Sequence, residues 1–235
     1  MSLPYFITGA PESGQLAGPE GKHAVTVKRI APGEQIMLTD GNGAWARVEV
    51  TATTGKDMLT GTVLEQGIDE PPTPRVTVVQ AIPKSERAEL AVDLATQAGA
   101  DAIIPWISHR TIARWQGAKV AKNVEKWQNT AREAAKQSRR TFIPQVSSPL
   151  TTNQLREAIV DKRAYVLHED ATQSIRDVEL SDDVVLIVGP EGGIGEEELE
   201  LLGATSVRLG PEVLRTATAA ALGLAAIGVL SGRWA

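Results

Sequence analysis

Four glycines follow one apolar segment at a spacing that would let a ligand contact bare backbone. The segment VVLIV (184–188) has the composition of a buried strand, and Gly189, Gly192, Gly193 and Gly195 come directly after it. Their spacing, G-x-x-G-G-x-G, differs from the dinucleotide fingerprint G-x-G-x-x-G, and no Gly-Lys-Ser/Thr follows as in a Walker A loop. We expect either a tight structural turn or a turn whose amides and carbonyls recognise a ligand.

The helix expected after these glycines begins with three carboxylates, Glu196, Glu197 and Glu198. Acidic side chains stabilise the positive end of a helix dipole and would repel a phosphate placed there. Phosphate binding is therefore disfavoured. An adenine ring and a methionine moiety would suit a cleft in which backbone amides and carbonyls recognise the ligand.

The elements that must position this turn alternate between strands and helices. After residue 74 we expect strands at 75–82, 100–108, 164–170, 183–189 and 206–210, and helices at 85–99, 122–138 and 216–230. This alternation predicts an α/β domain with a mostly parallel sheet that is covered on both faces.

The first 70 residues have a different pattern, in which β-forming residues cluster at 23–30, 34–40, 44–53 and 57–66 between turn residues. Such short strands predict a small β-barrel. The stiff segment Glu70-Pro71-Pro72-Thr73-Pro74 then disfavours helix and strand. We expect two domains, 1–72 and 73–235.

Composition excludes several classes of site. The chain of 235 residues is 42% hydrophobic and 23% charged, as in ordinary globular proteins, and it has no cysteine for disulfides or thiolate catalysis. Its three histidines, His23, His109 and His168, are far apart, so no metal site is expected. The amino terminus lacks a secretory pattern, and the apolar segment 218–230 is shorter than the about 20 residues that span a bilayer. These features favour a cytoplasmic protein.

Positive charge is concentrated in one part of an acidic chain. The net charge is −5, yet residues 110–140 contain nine basic and two acidic side chains. Such a local excess indicates an anionic partner that the total charge conceals, although a solvated helix face would show it too. At 100° per residue, one continuous helix would place Lys122, Lys126, Lys136 and Arg140 on a single face that could bind phosphates.

A second segment, LGPEVLRTATAA (209–220), follows the glycine turn after about 20 residues, and the pair closely resembles the SPOUT class of RNA methyltransferases. Within that class the chain is similar to the RsmE group, which methylates N3 of a uridine in 16S ribosomal RNA. Further matches occur in order along nearly the whole chain: His23, Val27, Arg29 and Gly33, then Lys84, the stretch QAGADAIIPWISHRT, and Arg140 and Pro144 in QSRRTFIP.

The resemblance implies a PUA-like β-barrel followed by an α/β domain with a parallel sheet and a carboxyl-terminal trefoil knot. It also implies a homodimer with the cofactor pocket near the interface, no metal, and the small ribosomal subunit as partner. The apolar helix expected at 218–230 suits an interface, because it needs cover on several sides.

The resemblance also assigns site residues. Three loops would hold S-adenosylmethionine, with leucines around the adenine and glycines allowing close backbone contact; they contain Leu167, His168, Glu169, Gly189, Pro190, Glu191, Gly192, Gly193, Ile194, Leu209, Gly210, Leu214 and Thr216. Arg140 and Arg215 are the candidates for orienting the uracil or stabilising its anion, and Glu191 or Glu169 are weaker candidates for a base. RNA would contact Arg29, Lys84, Arg110, Lys122, Lys126 and Lys136.

Two positions depart from the family pattern. Ala217 stands where many members have Glu, and Gln97-Ala98-Gly99 replaces Glu-Leu-Gly. Two alternatives therefore stay open: methylation of another RNA position, such as a 2′-hydroxyl in transfer RNA, and a non-catalytic RNA-binding factor in ribosome assembly. Trp106, Trp115 and Trp127 could stack on bases, but core packing is the favoured interpretation for each.

Overall fold

The computed structural model describes residues 3–113 and 115–234, except for the side chains of Ser85 and Glu86. The chain forms two compact units. One extends to Pro71 and includes Ala135–Ile143, and the other comprises Pro72–Ala134 and the chain from Pro144 onwards. No helix in the described part of the chain is both long and apolar enough to cross a membrane.

The first unit is built on one mixed sheet. Its strands are β1 (Tyr5–Ile7), β2 (Gln15–Leu16), β3 (Gln35–Thr39), β4 (Ala44–Thr54) and β5 (Met58–Ile68), in the order β1-β3-β4-β5-β2. Only β1 and β3 pair in parallel, and the other neighbours are antiparallel. Alternate residues of β3 and β4, among them Ile36, Leu38, Ala46 and Val48, are fully buried in the core of this unit.

The strand expected at 23–30 is wrong, because this segment is helical. Helix α1 (Gly18–Lys22) begins with a proline in its first turn, and a π-helical turn continues it over His23–Val27. Ala24 is buried in the core, and the His23 ring meets Phe6 edge to face at 5.9 Å. These tertiary contacts override the β-propensity of the valines.

The segment Ala135–Ile143 packs with the first unit. The expected division into 1–72 and 73–235 does not foresee this, because it places the whole segment in the second domain. The Gly43 N–H donates to the Thr141 carbonyl at 3.1 Å, and the Thr141 hydroxyl donates to Asp69 at 2.6 Å. The Lys136 ammonium, only 7% exposed, pairs with Glu20 at 2.8 Å.

Burial, reinforced by the Asp69 carboxylate, raises the pKa of Tyr5.

The second unit contains the remaining strands and helices. In chain order they are β6 (Arg75–Ala81), α2 (Ser85–Gln97), β7 (Ala102–Ile107), α3 (Ala118–Gln137, whose last residues belong to the first unit), β8 (Gln145–Val146), β9 (Leu150–Thr151), α4 (Thr152–Ile159), β10 (Arg163–Leu167), β11 (Asp183–Val188), α5 (Glu196–Leu202), β12 (Thr205–Val207) and α6 (Thr216–Leu230). The predicted strands and helices of this half are confirmed, with ends that differ by a few residues.

These strands form one parallel sheet in the order β12-β10-β11-β6-β7-β8, with β9 also paired to β7. Both faces are buried, because alternate residues of β11 enter two different cores: Val184, Leu186 and Val188 pack with helices α2, α3 and α6, whereas Val185 and Ile187 pack with α4 and α5. The expected sheet covered on both faces is therefore confirmed. Burial also raises the pKa of Tyr165, whose hydroxyl donates to the Glu179 carbonyl.

Helix α4 was not predicted, although its sequence contains a start signal. The Thr151 hydroxyl accepts from the Gln154 N–H and the Gln154 side chain accepts from the Thr151 N–H, which together form a capping box. The motif Thr-x-x-Gln before Leu155 is typical of such a start.

The carboxyl end of the chain is fixed by Arg233. Its guanidinium donates to both Asp101 carboxylate oxygens, at 2.7 and 3.0 Å, and to the carbonyls of Pro74 and Gly99. The side chains of Arg233 and Asp101 are only 12% and 7% exposed. This ion pair fastens the segment after α6 to the amino-terminal edge of β6 and β7.

Replacing Arg233→Ala should lower the free energy of unfolding by about 3 kcal/mol, because Asp101 would keep a buried charge without its main counterion. Urea denaturation followed by circular dichroism measures the change. Arg163→Ala is the control, since Arg163 pairs with Glu179 on the surface and should lose at most about 0.5 kcal/mol. Equal losses in the two variants would contradict a stabilising role for the buried pair.

Candidate functional site

Three of the predicted loops lie side by side, because they follow three neighbouring parallel strands. Leu167 at the end of β10 is in register with Val188 at the end of β11 and with Val207 at the end of β12. The chain leaves all three strands at the same edge of the sheet. Loops 168–170, 189–195 and 208–215 therefore start next to one another, where parallel α/β sheets bind ligands.

The glycine-rich loop after β11 closes in a tight turn. The Gly193 N–H donates to the Pro190 carbonyl at 2.9 Å, and Gly193 has a φ of +71°, which favours glycine. A Cβ at Gly189 would lie 2.7 Å from Cγ1 of Ile194, which is 6% exposed. Gly189 therefore allows the loop to pack on its own Ile194, whereas the backbone of Gly192 and Gly193 faces solvent.

Backbone hydrogen bonds join the loop after β10 to the loop after β12. The His168 N–H donates to the Val207 carbonyl, the Arg208 N–H to Gln173 and the Ile175 N–H to Arg208, each at 3.0 Å. These bonds continue the pairing of the two strands beyond their ends.

The glycine-rich loop is held from its other side by the loops that follow β6 and β7. The Lys84 N–H donates to Oε1 of Glu191 at 3.1 Å. The Arg110 guanidinium donates to the Gly192 carbonyl at 3.0 Å. Lys84 and Arg110, both expected to contact RNA, thus also lie against the glycine-rich loop.

The residues at this edge fit S-adenosylmethionine. Leu167, Leu209 and Leu214 are partly buried and pack against the same core, and they lie in or next to loops that start beside the glycine-rich loop. Thr216, the first residue of α6, is 8% exposed. Flat apolar surface with a few backbone polar groups is what an adenosine requires.

Arg215 is exposed immediately before α6, at the end of the loop that contains Leu209 and Leu214. Ala217 is 2% exposed, so the position where many family members have Glu is buried in this chain. Arg140 belongs to the first unit, where its N–H donates to the Ala135 carbonyl at 2.9 Å. Its role stays a prediction from the resemblance.

The two acidic candidates differ in their surroundings. Glu191 is exposed and binds the Lys84 N–H, whereas Glu169 is exposed in the loop after β10. His168 accepts a hydrogen bond at Nδ1 from the Asp170 N–H at 3.3 Å, a local contact within its turn.

The predicted single face of four basic residues is wrong. Helix α3 ends at Gln137, so Arg140 lies outside it, and Lys136 is buried against Glu20. Lys122 and Lys126 remain exposed on the first half of α3, where Lys126 pairs with Glu89 at 2.7 Å. Arg29 is exposed in the first unit with a φ of +58°. Arg114, another member of the basic segment, lies outside the described residues.

Two of the three tryptophans considered for base stacking, Trp106 and Trp127, are buried in the core, and the third, Trp115, is partly buried against it. Trp106 and Trp127 are 0% and 1% exposed, and Trp115 meets Trp127 edge to face at 5.0 Å. Base stacking on Trp106 or Trp127 is therefore excluded.

Two grooves of the second unit lie away from the carboxyl ends of β10, β11 and β12. One of about 690 Å³ runs along α3 beside Val146, and one of about 320 Å³ lies where β10 and β12 begin, near Arg156 and Lys162. Neither groove is lined by residues of the three loops.

Sequence reasoning missed Glu198. The sequence groups it with Glu196 and Glu197 as a charge at a helix start, whereas in the structure it is 1% exposed and accepts a hydrogen bond from the His109 N–H. Its spacing from the buried Leu202, four residues further along the same helix, is the signal that it faces the core.

Comparison with known proteins covers both units. A model described as an RNA methyltransferase domain matches residues 69–228, and one described as an RNA methyltransferase PUA domain matches residues 16–64. These matches confirm the expected fold class, a PUA-like domain followed by a parallel α/β domain. The trefoil knot stays a prediction.

Relatives of similar length are known. A Mycobacterium bovis protein named ribosomal RNA small subunit methyltransferase E is 47% identical over 247 residues, covering 100% of this chain and 94% of that protein. A Bacillus subtilis protein of the same name is 29% identical, covering 90% and 88%. The Neisseria gonorrhoeae methyltransferase of that name, solved with bound S-adenosyl methionine, superimposes with a TM-score of 0.86 at 26% identity, covering 97% of this chain and 98% of that one.

Replacing Gly189→Ala should lower the free energy of unfolding by about 2 kcal/mol, because the new methyl group would overlap Ile194. Combining it with Ile194→Ala should cost less than the two single losses added together, since that change removes the atoms that the methyl group meets. Urea denaturation of the two single variants and the double variant measures the coupling. Strict additivity would show that the loop does not pack as described.

Proposed function

Because the chain belongs to the RNA methyltransferase family, we propose that it methylates N3 of a uridine in the 16S ribosomal RNA of the small subunit, with S-adenosylmethionine as methyl donor. One observation carries this proposal: three loops of the expected composition leave neighbouring parallel strands at one edge of the sheet. The name of the Mycobacterium relative and the cofactor bound in the Neisseria structure support it.

The chain's own residues would hold the cofactor between the three loops. Leu167, Leu209 and Leu214 would enclose the adenine, because they are apolar, partly buried and lie in or next to loops that start beside the glycine-rich loop. The exposed backbone at Gly192 and Gly193 would contact the polar groups of the ligand without interference from side chains. Bound there, S-adenosylmethionine supplies an electrophilic methyl group on a sulfonium.

The remaining chemistry concerns the proton on uracil N3, which is present at neutral pH. The nucleobase must lose this proton, and a nearby cation stabilises the resulting anion. Arg215 meets the requirement, because its guanidinium is always charged and the residue is exposed beside the cofactor loops. Glu169, exposed in the loop after β10, is the acidic side chain that we propose as proton acceptor.

RNA phosphates would be bound by cations at the surface. Lys122 and Lys126 are neighbours on the first half of α3, and Lys84 and Arg110 lie beside the cofactor loops. Contacts of this kind position an RNA without reading its sequence. We assign Lys136 no such contact, because it is buried in an ion pair.

We also propose that the protein acts as a homodimer in the cytoplasm. Leu222, Val229 and Leu230 of α6 are 48%, 68% and 44% exposed, which leaves apolar surface that a second copy would cover. The name of the relatives refers to the small ribosomal subunit, and we expect this subunit to be the substrate of the protein in the cytoplasm.

Two measurements on the purified protein test the function. Calorimetry should detect binding of S-adenosylmethionine and of its demethylated product, and labelled methyl groups should be incorporated into small subunits or 16S RNA from a strain that lacks the enzyme. Mapping should place the label on uridine N3. Label at another position, such as a 2′-hydroxyl, would favour the alternative RNA methylation. RNA binding without transfer would favour an assembly factor, and no heat with either ligand would refute S-adenosylmethionine as the cofactor.

Arg215→Ala should lower kcat by about 10²-fold, because the developing uracil anion would lose its cation. The cofactor Kd should change by less than about threefold, since only the side chain beyond Cβ is removed. Steady-state methyl transfer and calorimetry measure the two quantities. Arg176→Ala, which removes another exposed arginine, is the matched control. An unchanged kcat would remove Arg215 from the mechanism.

A further inference from the structure

Glu198 is a buried carboxylate in the first turn of α5. Its neighbours Glu196 and Glu197 are exposed, whereas Glu198 is 1% exposed. Its Oε1 accepts hydrogen bonds from the His109 N–H at 2.9 Å and from the Thr152 hydroxyl at 2.5 Å. Burying a carboxylate is costly unless hydrogen bonds or a counter-charge replace its lost hydration. These two partners show what Glu198 holds.

The partners of Glu198 come from two other segments of the second unit. Thr152 is the first residue of α4, and its hydroxyl also accepts from the indole N–H of Trp106, which is fully buried in β7. His109 lies in the loop that follows β7. One carboxylate therefore fixes the start of α4 and the loop after β7 relative to α5.

The residue after His109 contacts the glycine-rich loop. The Arg110 guanidinium donates to the Gly192 carbonyl at 3.0 Å, and its Nη2 lies 3.3 Å from the position of a Cβ at Gly195. Arg110 is exposed and has a long, flexible side chain. Its guanidinium binds the Gly192 carbonyl and its backbone directly follows His109, which Glu198 holds, so Arg110 links Glu198 to the glycine-rich loop.

We propose that Glu198 is a positioning residue for the glycine-rich loop, acting through the His109 N–H and the Arg110 side chain. It does not touch the ligand. Its carboxylate holds the loop after β7, and Arg110 holds the Gly192 carbonyl, so the loop has one backbone arrangement before the ligand binds. The identity of that ligand, S-adenosylmethionine, rests on the proposed function, whereas the order of the loop does not.

Two readouts test this role in the intact protein. Hydrogen–deuterium exchange of residues 189–195 without ligand reports the order of the loop, and calorimetry with the demethylated cofactor product reports its Kd. Glu198→Leu keeps the volume and removes both acceptors, so we expect faster exchange and a Kd raised at least fivefold. Glu198→Gln should stay within about twofold, because its amide oxygen can replace Oε1, and within the described residues Oε2 has no hydrogen-bond partner to lose. Glu197→Leu, an exposed neighbour, should match the wild type.

A double variant separates positioning from general stability. Arg110→Ala alone should raise both the exchange rate of residues 189–195 and the Kd of the demethylated cofactor product. Adding Glu198→Leu to Arg110→Ala should then change either quantity less than twofold. The melting temperature of the double variant should nevertheless fall as much as that of the single Glu198→Leu variant. Additive effects on Kd or exchange would overturn the proposal. Because Arg110 is exposed, Arg110→Ala with wild-type exchange would overturn it even if Glu198→Leu did not fold. A wild-type protein that binds no cofactor would refute the proposed function, and the exchange data would still decide the role of Glu198.

Discussion

The parallel pairing of β12, β10 and β11 is the constraint on which the candidate site depends. Strands β10 and β11 are buried on both faces, so their backbone groups must be satisfied by neighbouring strands, and a shift of one residue would move apolar side chains from one core to the other. Strand β12 pairs with β10 at the border of the sheet and buries Val207 in the first of these cores. The register is therefore fixed, and Leu167, Val188 and Val207 end at one level. Loops that are up to about 40 residues apart in the chain become neighbours for this reason.

The charge at the start of α5 has two separate uses. Glu196 and Glu197 face solvent, where they complement the helix dipole and disfavour a phosphate, as expected from the sequence. Glu198 points into the protein and binds the loop after β7. This glycine-rich loop is followed by acids and accepts hydrogen bonds from Lys84 and Arg110 of the two neighbouring loops. It therefore differs physically from a phosphate-binding loop, in which the helix start itself contacts the ligand.

The sequence predicted the second unit better than the first, and the reason is the range of the interactions. Apolar runs such as 184–188 and the amphipathic pattern of 85–97 are local signals, and the strands and helices that they predict are present. The helical turn at 23–27 depends on Phe6, and the placement of 135–143 depends on Asp69 and Gly43. The partners of Glu198 lie 46 and 89 residues away in the chain. Contacts between distant residues leave no periodic signal, so sequence reasoning could not supply them.

The basic segment shows why counting charges overestimates a binding surface. Lys136 satisfies Glu20 inside the first unit, and α3 ends before Arg140, so the excess of positive charge at 110–140 does not form one face. Lys119, Lys122 and Lys126 stay on one side of the first turns of α3 at spacings of three and four residues, which places neighbouring side chains about 5–6 Å apart. This distance is shorter than the Debye length of about 8 Å at physiological salt. Although Lys126 pairs with Glu89, these three cations together can attract one RNA phosphate, whereas salt largely screens more distant acidic side chains. A net charge of −5 is therefore compatible with binding RNA.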